Sequence, residues 1–237
     1  MSTIARVFPR WRPDDPADIE FWVYWSKDVT LALRLSDRTL KYRNQEPPKL
    51  PGALRPTVAA AMVELAKLED GYKVLDPLCG SGTILDECRR QFDSLTLVGS
   101  DQSRSAVAMA TSRLDGKAIF QQVSLDNLDH LSGTFDRVIT NLPWGRQTSA
   151  QGDVYDVGIT KLLDWVTGTG LVVTLTSRRD LIEPTLRKLG ARWTSTRVLV
   201  QGTWASIYVI RKADGDRIRD SGLRHQGAPL FGVREVE

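Results

Sequence analysis

Hydrophobic and polar positions change their period several times along the 237-residue chain. In residues 55–70, apolar side chains recur at helical spacing within an Ala-rich segment that has a proline near its start, which predicts a helix. From Lys73 onwards, short apolar runs alternate with stretches of helical character. This alternation predicts strands separated by helices, and therefore a parallel sheet with helices on both faces.

The pattern also predicts a hairpin at each end of this region. Residues 29–35 alternate apolar and polar, and with residues 39–43 they predict an N-terminal β-hairpin as a lead-in to the sheet. Two long strands that meet near Gly202 predict an antiparallel C-terminal hairpin. The remaining predicted strands are residues 73–78, 95–101, 118–125, 137–140 and 170–177, and the helices between them are residues 83–91, 103–114, 154–166 and 179–190. The predicted fold class is α/β, with a doubly wound, mostly parallel, seven-stranded Rossmann-like sheet.

The chain divides into three parts by composition and pattern. Residues 1–53 are expected to form an N-terminal extension with the hairpin, including an aromatic cluster at residues 21–25 that is expected to pack against the domain. Residues 54–212 are the expected α/β domain. Residues 213–237 are polar and Gly-rich, so we expect a flexible tail.

Composition and charge set broad limits on function. Lys and Arg number 32 against 29 Asp and Glu, a mild basic excess that permits a polyanionic partner without requiring one. The two cysteines, Cys79 and Cys88, and two histidines form no cluster at metal-ligand spacing, so neither a disulfide framework nor a metal site is expected. No signal peptide or membrane span is visible in the sequence, so a cytoplasmic protein is expected.

A glycine turn follows the first strand of the predicted parallel sheet, in the segment DPLCGSGT at residues 76–83. Such a turn presents backbone amides to a ligand, and Asp76 ends the strand, where open sheets bind ligands. A dinucleotide site would need a small residue at Leu85, so this alternative is disfavoured. A carboxylate before the glycines suits a ligand with a positive group, such as S-adenosylmethionine; a tight turn without a ligand is the other alternative.

Two more carboxylates follow the next predicted strands. Asp101 ends the second strand, a position from which a carboxylate can bind ribose hydroxyls. Asp126 follows the third strand and could accept a hydrogen bond from an adenine amino group. Either residue could instead cap the helix that follows, as Asp often does.

The fourth strand runs directly into TNLPWGRQ, residues 140–147. The side-chain oxygen of Asn141 and the carbonyl oxygen of Leu142 could accept from the hydrogens of a planar amino group and favour its pyramidalisation. Pro143 fixes the backbone, and Trp144 offers a stacking face to the substrate. An ordinary turn after a strand is the alternative interpretation.

The segments DPLCGSGTILDE and TNLPWG together resemble the class I S-adenosylmethionine-dependent amino-methyltransferases. Within that class, TLKYR and LRPTVAAAM resemble the lead-in of the RNA guanine-N2 methyltransferases that usually carry a THUMP domain. The similarity covers residues 29–212, and residues 1–28 are too few for a THUMP domain. We therefore expect RNA docking on the domain's own surface, on the closing hairpin or through a protein partner.

The resemblance implies methylation of the guanine N2 amine in RNA, with tRNA as the expected class. Because the Asn-x-Pro-aromatic tetrad also occurs in other amino-methyltransferases, a protein amide, DNA adenine or a small-molecule amine stays an alternative. A cofactor-binding but catalytically silent RNA-binding subunit is a further hypothesis. The expected catalytic residues are Asn141, Leu142, Pro143 and Trp144; Trp144 and Arg146 would bind substrate. The residues expected to bind S-adenosylmethionine are Thr57, Asp76, Leu78, Cys79, Gly80, Ser81, Gly82, Thr83, Asp101, Gln102, Asp126, Asn127 and Asn141.

Overall fold

The computed structural model describes residues 20–25, 28–34, 53–128, 131–143 and 153–212. The chain separates into two compact units, Met1–Glu46 and Pro47–Glu237. The first unit holds an antiparallel hairpin of β1 (Glu20–Trp25) and β2 (Val29–Arg34). A strand is predicted where β2 lies, but its described partner is the aromatic segment of β1, whose aromatic and β-branched residues favour a strand. The predicted second arm, residues 39–43, lies outside the described residues.

The second unit is a seven-stranded sheet with helices on both faces. Its elements are α1 (Pro56–Ala66), β3 (Lys73–Asp76), α2 (Thr83–Gln91), β4 (Thr96–Asp101), α3 (Arg104–Leu114), β5 (Ile119–Gln122), a 3₁₀ turn (Leu125–Asn127), β6 (Phe135–Asn141), α4 (Asp153–Trp165), β7 (Val166–Thr176), α5 (Arg179–Lys188), β8 (Arg192–Val200) and β9 (Thr203–Arg211). The strand order is β5-β4-β3-β6-β7-β9-β8, and β9 runs antiparallel to both of its neighbours. The predicted fold class is confirmed.

Helix α1 ends at Ala66, four residues before the predicted end, because Lys67 adopts left-handed backbone with φ 48°. Arg137 on β6 closes this end of the helix. Its Nε donates to the carbonyl oxygen of Ala66 at 2.6 Å and its Nη2 to that of Lys67 at 3.1 Å, while the guanidinium stacks 4.5 Å from the ring centroid of Tyr72. A cation at a helix C-terminus satisfies the last carbonyls and complements the helix dipole.

Buried apolar side chains form two clusters, one on each face of the sheet. Consecutive residues of β6 divide between them, since Ile139 joins the cluster under α1 to α3 and Val138 joins the cluster under α4 and α5. Covering both faces in this way leaves the carboxyl ends of the parallel strands as the open edge where loops and ligands can meet. Within the described ranges, no helix is both long and apolar enough to cross a membrane.

Candidate active site

The carboxyl ends of three parallel strands lie side by side at one edge of the sheet. Strands β3, β4 and β6 end at Asp76, Asp101 and Asn141, and β3 pairs in parallel with both of the other strands. The sheet therefore brings together three of the side chains that the sequence predicts at a ligand site. This edge is the candidate active site.

The glycine turn after β3 is held by main-chain amides. The N–H of Cys79 donates to the carbonyl oxygen of Ser100 at 2.9 Å, and the N–H of Gly82 donates to the carbonyl oxygen of Cys79 at 2.8 Å. The N–H of Gly80 donates to Oδ2 of Asp101 at 3.0 Å. The turn is thus closed on itself and attached to the end of β4.

The two glycines of this turn, Gly80 and Gly82, differ in the space that a side chain would find. Both lie in the left-handed region, with φ 50° at Gly80 and 77° at Gly82. A Cβ at Gly82 would lie 3.0 Å from both Ala110 Cβ and Leu114 Cδ1, so the bare backbone allows α3 to pack against the turn. A Cβ at Gly80 would meet nothing within 4 Å. The turn therefore borders open space at Gly80, next to the carboxylate of Asp101.

Asp76 is a buried carboxyl group, with 1% of its surface exposed. Its Oδ1 accepts from the hydroxyl of Thr140 at 2.8 Å and from the N–H of Leu78 at 3.3 Å. Burial raises the pKa of Asp76 to about 7, and the two donors only partly offset this effect. A carboxylate buried in this way would be stabilised by a cation, which is what the ammonium group of S-adenosylmethionine offers.

Asp101 accepts two backbone hydrogen bonds, from Gly80 N–H and from Ser103 N–H at 2.8 Å. A carboxylate has about four acceptor sites, so these two bonds leave capacity for hydroxyl donors such as those of a ribose. The buried carboxyl of Asp76, the second carboxylate of Asp101 and the open space at Gly80 form a donor and acceptor set that fits S-adenosylmethionine.

Strand β6 carries the predicted reactive segment to the same edge. Asn141 lies opposite Leu175 of β7, and the N–H of Leu142 donates to the carbonyl oxygen of Leu175 at 3.1 Å, so the ladder continues into the motif. Thr140, the residue before Asn141, donates to Asp76. This hydrogen bond joins the end of β3 directly to the start of the reactive segment.

A chain of hydroxyl groups holds the next part of that segment. The hydroxyl of Tyr155, on α4, donates to the carbonyl oxygen of Pro143 at 3.1 Å and lies 2.6 Å from Oγ1 of Thr176. Oγ1 of Thr176 accepts from the N–H of Arg178 at 3.0 Å. Because Tyr155 has one proton to give, Thr176 is the donor of their shared hydrogen bond. Each hydroxyl then donates once and accepts once, and this series of hydrogen bonds ends at the carbonyl oxygen of Pro143.

The other residues predicted for the cofactor divide by location. In the turn, Leu78 is half-buried, and the buried hydroxyls of Ser81 and Thr83 lie 3.4 Å apart. Burial raises the pKa of the Cys79 thiol, which keeps it protonated and unsuited to act as a nucleophile. Three further predicted residues are exposed: Thr57 in the first turn of α1, Gln102 after β4 and Asn127 in the 3₁₀ turn. Asp126 lies in the same 3₁₀ turn but its side chain is outside the described residues, as are Trp144 and Arg146 entirely.

Some residues that support the site, and some that pack near it, were not predicted from the sequence. Thr140 precedes Asn141 in the chain, and this position next to the motif could have indicated a role in the site. Tyr155 and Thr176 come from a helix and a strand further along, and nothing in their local sequence indicates a contact with Pro143. Asp86 was also missed; it is buried in the first turn of α2 and pairs with two arginines of the same helix, at 2.8 and 3.1 Å.

Comparisons with known proteins find matches over much of the chain. Residues 43–204 match the family described as UPF0020: RMKL-like, methyltransferase domain. The chain is 35% identical over 106 residues, 43% of its length, to the U6 snRNA (guanine-N(2))-methyltransferase THUMPD2 of Bos taurus, of which it covers 21%. It is 26% identical over 199 residues, 78% of its length, to the tRNA (guanine(6)-N2)-methyltransferase of Thermus thermophilus, of which it covers 58%. The crystal structure of TrmN from Thermus thermophilus matches with a TM-score of 0.64 at 23% identity, over 78% of this chain and 56% of that one.

Measured against these relatives, the chain is short. It covers 21% of the Bos taurus protein and 58% of the Thermus thermophilus protein. It therefore spans between about a fifth and three fifths of the length of these two curated relatives. The family match, residues 43–204, contains the glycine turn and the Asn141 segment of the candidate site.

Proposed function

The chain belongs to the family of RMKL-like methyltransferase domains, and from this premise we propose that it is an S-adenosylmethionine-dependent enzyme that methylates the exocyclic N2 amine of guanine in RNA. One observation carries the proposal: the 2.8 Å hydrogen bond from Thr140 to Asp76, which couples the glycine turn to the Asn141 segment. The matched relatives add the substrate class, since they are named as guanine-N2 methyltransferases of U6 snRNA and of tRNA. We propose tRNA as the RNA class.

The glycine turn and its neighbours would hold the methyl donor. Asp76 would bind its ammonium group, Asp101 its ribose hydroxyls, and the 78–83 turn would border it at the open side of Gly80. The other predicted contacts would be Thr57, Gln102, Asp126, Asn127 and Asn141. When bound, S-adenosylmethionine supplies a methyl group made electrophilic by its sulfonium.

The Asn141 segment would hold the target amine. The Asn141 side-chain oxygen and the Leu142 carbonyl oxygen both accept hydrogen bonds, so they can fix the two hydrogens of an exocyclic amino group and turn its lone pair away from the ring system. The ring of Pro143 fixes its own φ angle, and the carbonyl oxygen of Pro143 accepts a hydrogen bond from Tyr155 at 3.1 Å. Trp144 would stack on the base, and Arg146 would contact the RNA near it. Positioning and aimed dipoles supply the acceleration.

RNA recognition is the remaining part of the proposal. The domain's own surface would contact the RNA, and a protein partner could add to recognition. A cytoplasmic location belongs to the same proposal.

Methyl transfer from labelled S-adenosylmethionine tests the function. We would incubate the purified chain with total RNA, DNA and protein extracts in parallel, digest the labelled product and identify the methylated atom by mass spectrometry. The expected product is N2-methylguanosine in RNA. Asn141→Ala should reduce the rate by roughly 100-fold or more, since it removes an acceptor aimed at the reacting amine. Label in protein, DNA or a small molecule, with none in RNA, would overturn the assignment.

A further inference from the structure

Strands β8 and β9 carry an exposed aromatic surface near their connecting turn. Leu199 and Trp204 pair directly across the two strands and are 57% and 48% exposed. Directly paired residues of antiparallel strands point to the same face, and Arg197 shares that face because it is two residues from Leu199. The guanidinium carbon of Arg197 lies 4.4 Å from the ring centroid of Trp204. Arg197, Leu199 and Trp204 are called the hairpin patch below.

The hairpin patch lies at the sheet edge that holds the candidate active site. Strand β9 runs antiparallel to β7, and Ser206 pairs with Thr176, the last residue of β7. Trp204 is two residues nearer the start of β9, so it lies at the carboxyl end of β7. Asn141 ends β6, the neighbour of β7, at the same edge. An RNA bound with its target base at Asn141 can therefore extend along this edge towards the patch.

The patch is held on a tight turn. Val200 pairs with Thr203, so Gln201 and Gly202 form a two-residue loop, and their φ angles of 49° and 82° are both left-handed. This geometry is typical of a type I′ turn, whose twist matches the twist of the two strands. The turn thereby fixes the backbone positions of Trp204 and Arg197 before any partner binds, which lowers the entropy lost on binding.

The charges of the hairpin's own residues favour a polyanion. Residues 190–212, which hold both strands, contain four basic residues and no Asp or Glu. An exposed indole with a stacked guanidinium and no nearby carboxylate in the same hairpin suits nucleic acid, because bases stack on aromatic rings and guanidinium groups bind phosphate. A protein partner with a basic or neutral surface would gain little from Arg197.

We propose that the hairpin patch is a docking site for RNA, where a base next to the target nucleotide stacks on Trp204 and Arg197 contacts a phosphate. This inference rests on the proposed function, because it takes RNA to be the substrate. It names a contact on the catalytic domain that would supply recognition at a distance from the reacting amine. Leu199 would form the apolar floor beside the indole.

RNA binding can be measured without turnover, which separates this test from the test of the enzyme activity. We would titrate fluorescein-labelled total tRNA and a labelled single-stranded oligoribonucleotide with the wild-type chain and four variants, following fluorescence anisotropy. The variants are Trp204→Ala, Trp204→Phe, Arg197→Ala and, as a charge-matched control, Arg192→Ala. Arg192 is exposed on the same strand but pairs with Arg211 at the opposite end of the hairpin.

The expected results differ between the variants. Trp204→Ala should raise the Kd for RNA about tenfold, whereas Trp204→Phe, which keeps a stacking ring, should raise it by about threefold or less. Arg197→Ala should raise the Kd several-fold and lower the salt dependence by about one phosphate contact. The Arg192→Ala control should change the Kd by less than about twofold, since Arg192 lies away from the expected RNA path. In methylation assays, the patch variants should raise KM for RNA and keep kcat and cofactor affinity.

Three results would overturn the proposal. The first is RNA binding that is unchanged in both Trp204→Ala and Arg197→Ala, or absent in the wild type. The second is an equal loss in Arg192→Ala, which would indicate non-specific attraction to a basic surface. The third is a change of oligomeric state in Trp204→Ala, seen by light scattering, which would assign the patch to a second copy of the chain. Failure of the enzyme assay alone, with tight and patch-dependent RNA binding, would count against the proposed function and would support the docking site.

Discussion

The ends of β3 and β6 lie at one sheet edge but are held in different ways. After β3, the turn is fixed by main-chain N–H groups of Cys79, Gly80 and Gly82. At the end of β6, the main-chain hydrogen bond from Leu142 to Leu175 is joined by two side-chain hydroxyl links, from Thr140 to Asp76 and from Tyr155 to Pro143. The first arrangement depends mainly on backbone conformation and on the absence of side chains at the glycines, with Asp101 as its one side-chain acceptor. The second also depends on particular hydroxyl groups, one on β6 itself and one on α4.

This difference separates two tasks. The turn after β3 is expected to set affinity for the methyl donor, and the β6 segment is expected to set the position of the target amine. Changes in the hydroxyl groups near Pro143 should therefore lower kcat and leave cofactor affinity unchanged. Changes in the turn should weaken cofactor binding and leave kcat unchanged.

The largest expected effect concerns Asp76, which belongs to both arrangements. Asp76→Asn should weaken S-adenosylmethionine binding by roughly 100-fold, because it removes a charge-assisted contact to the ammonium group. Isothermal titration calorimetry at neutral pH measures this directly. Asp93→Asn, at an exposed carboxylate after α2, is the control for the loss of one negative charge. Equal affinities in the wild type and Asp76→Asn would contradict the assigned role.

In the wild-type protein, the pH dependence caused by Asp76 has opposite signs for stability and for cofactor binding. Burial raises the pKa of Asp76 to about 7, so between about pH 4 and pH 7 the folded protein keeps a proton that the unfolded chain has lost. The contribution of Asp76 to the free energy of unfolding should therefore fall as pH rises through this window, by about 2–4 kcal/mol in total. Cofactor affinity should rise over the same window, because the ionised carboxylate binds the cation. Asp76→Asn should remove both dependences in denaturation and titration series.

Alanine at each of the two glycines of the turn should affect stability and cofactor affinity differently. Gly82→Ala combines left-handed strain with a Cβ 3.0 Å from Ala110, so the free energy of unfolding should fall by about 2–3 kcal/mol. Gly80→Ala has similar strain but open space, so it should cost only about 1 kcal/mol of stability. Its Cβ would enter the space proposed for the cofactor, and cofactor affinity should fall instead. Urea denaturation and titration separate the two effects, and equal stability losses would contradict the packing argument.

Sequence reasoning was most successful where structure is determined locally. The helix boundaries of α2, the order of strands and helices and the glycine turn follow from short-range patterns, and the structure confirms them. The roles of Asp76 and Asp101 as ligands stay predictions, but their placement at neighbouring strand ends follows directly from the parallel order.

What the sequence did not indicate depends on contacts between distant residues. Helix α1 ends early at Ala66, where Arg137 binds its last carbonyls from 71 residues away. Strand β2 pairs with β1, because the aromatic segment before β2 also forms a strand. The alternation of apolar and polar residues in β2 does not indicate whether its partner precedes or follows it in the chain. Tyr155 reaches Pro143 only because α4 packs beside β6 and β7. Local patterns carry no information on such contacts.

Tyr155 tests the hydroxyl arrangement at the end of β6. Tyr155→Phe removes the hydroxyl that donates to the Pro143 carbonyl. It should lower kcat about tenfold, because the proposed acceptors of the target amine, on Asn141 and Leu142, lose their fixed position. Cofactor Kd should stay unchanged. Tyr208→Phe is the matched control, since Tyr208 is also buried and its hydroxyl contacts Glu183 at 3.4 Å. A similar loss of kcat in both variants would show that the effect comes from general destabilisation.

The smallest expected effect compares two threonines that face each other across β6 and β7. Thr140 pairs in register with Thr174; the hydroxyl of Thr140 donates to Asp76, whereas the buried Oγ1 of Thr174 has no hydrogen-bond partner in the part of the chain that the structure describes. Thr174→Val should therefore raise the free energy of unfolding by about 1 kcal/mol, as it removes an unsatisfied polar group with little change in shape. Thr140→Val should lower it by a similar amount and weaken cofactor binding, because Asp76 loses a donor that favours its charged form. If both substitutions changed stability equally and left cofactor binding intact, the hydrogen bond from β6 would not couple the two strand ends.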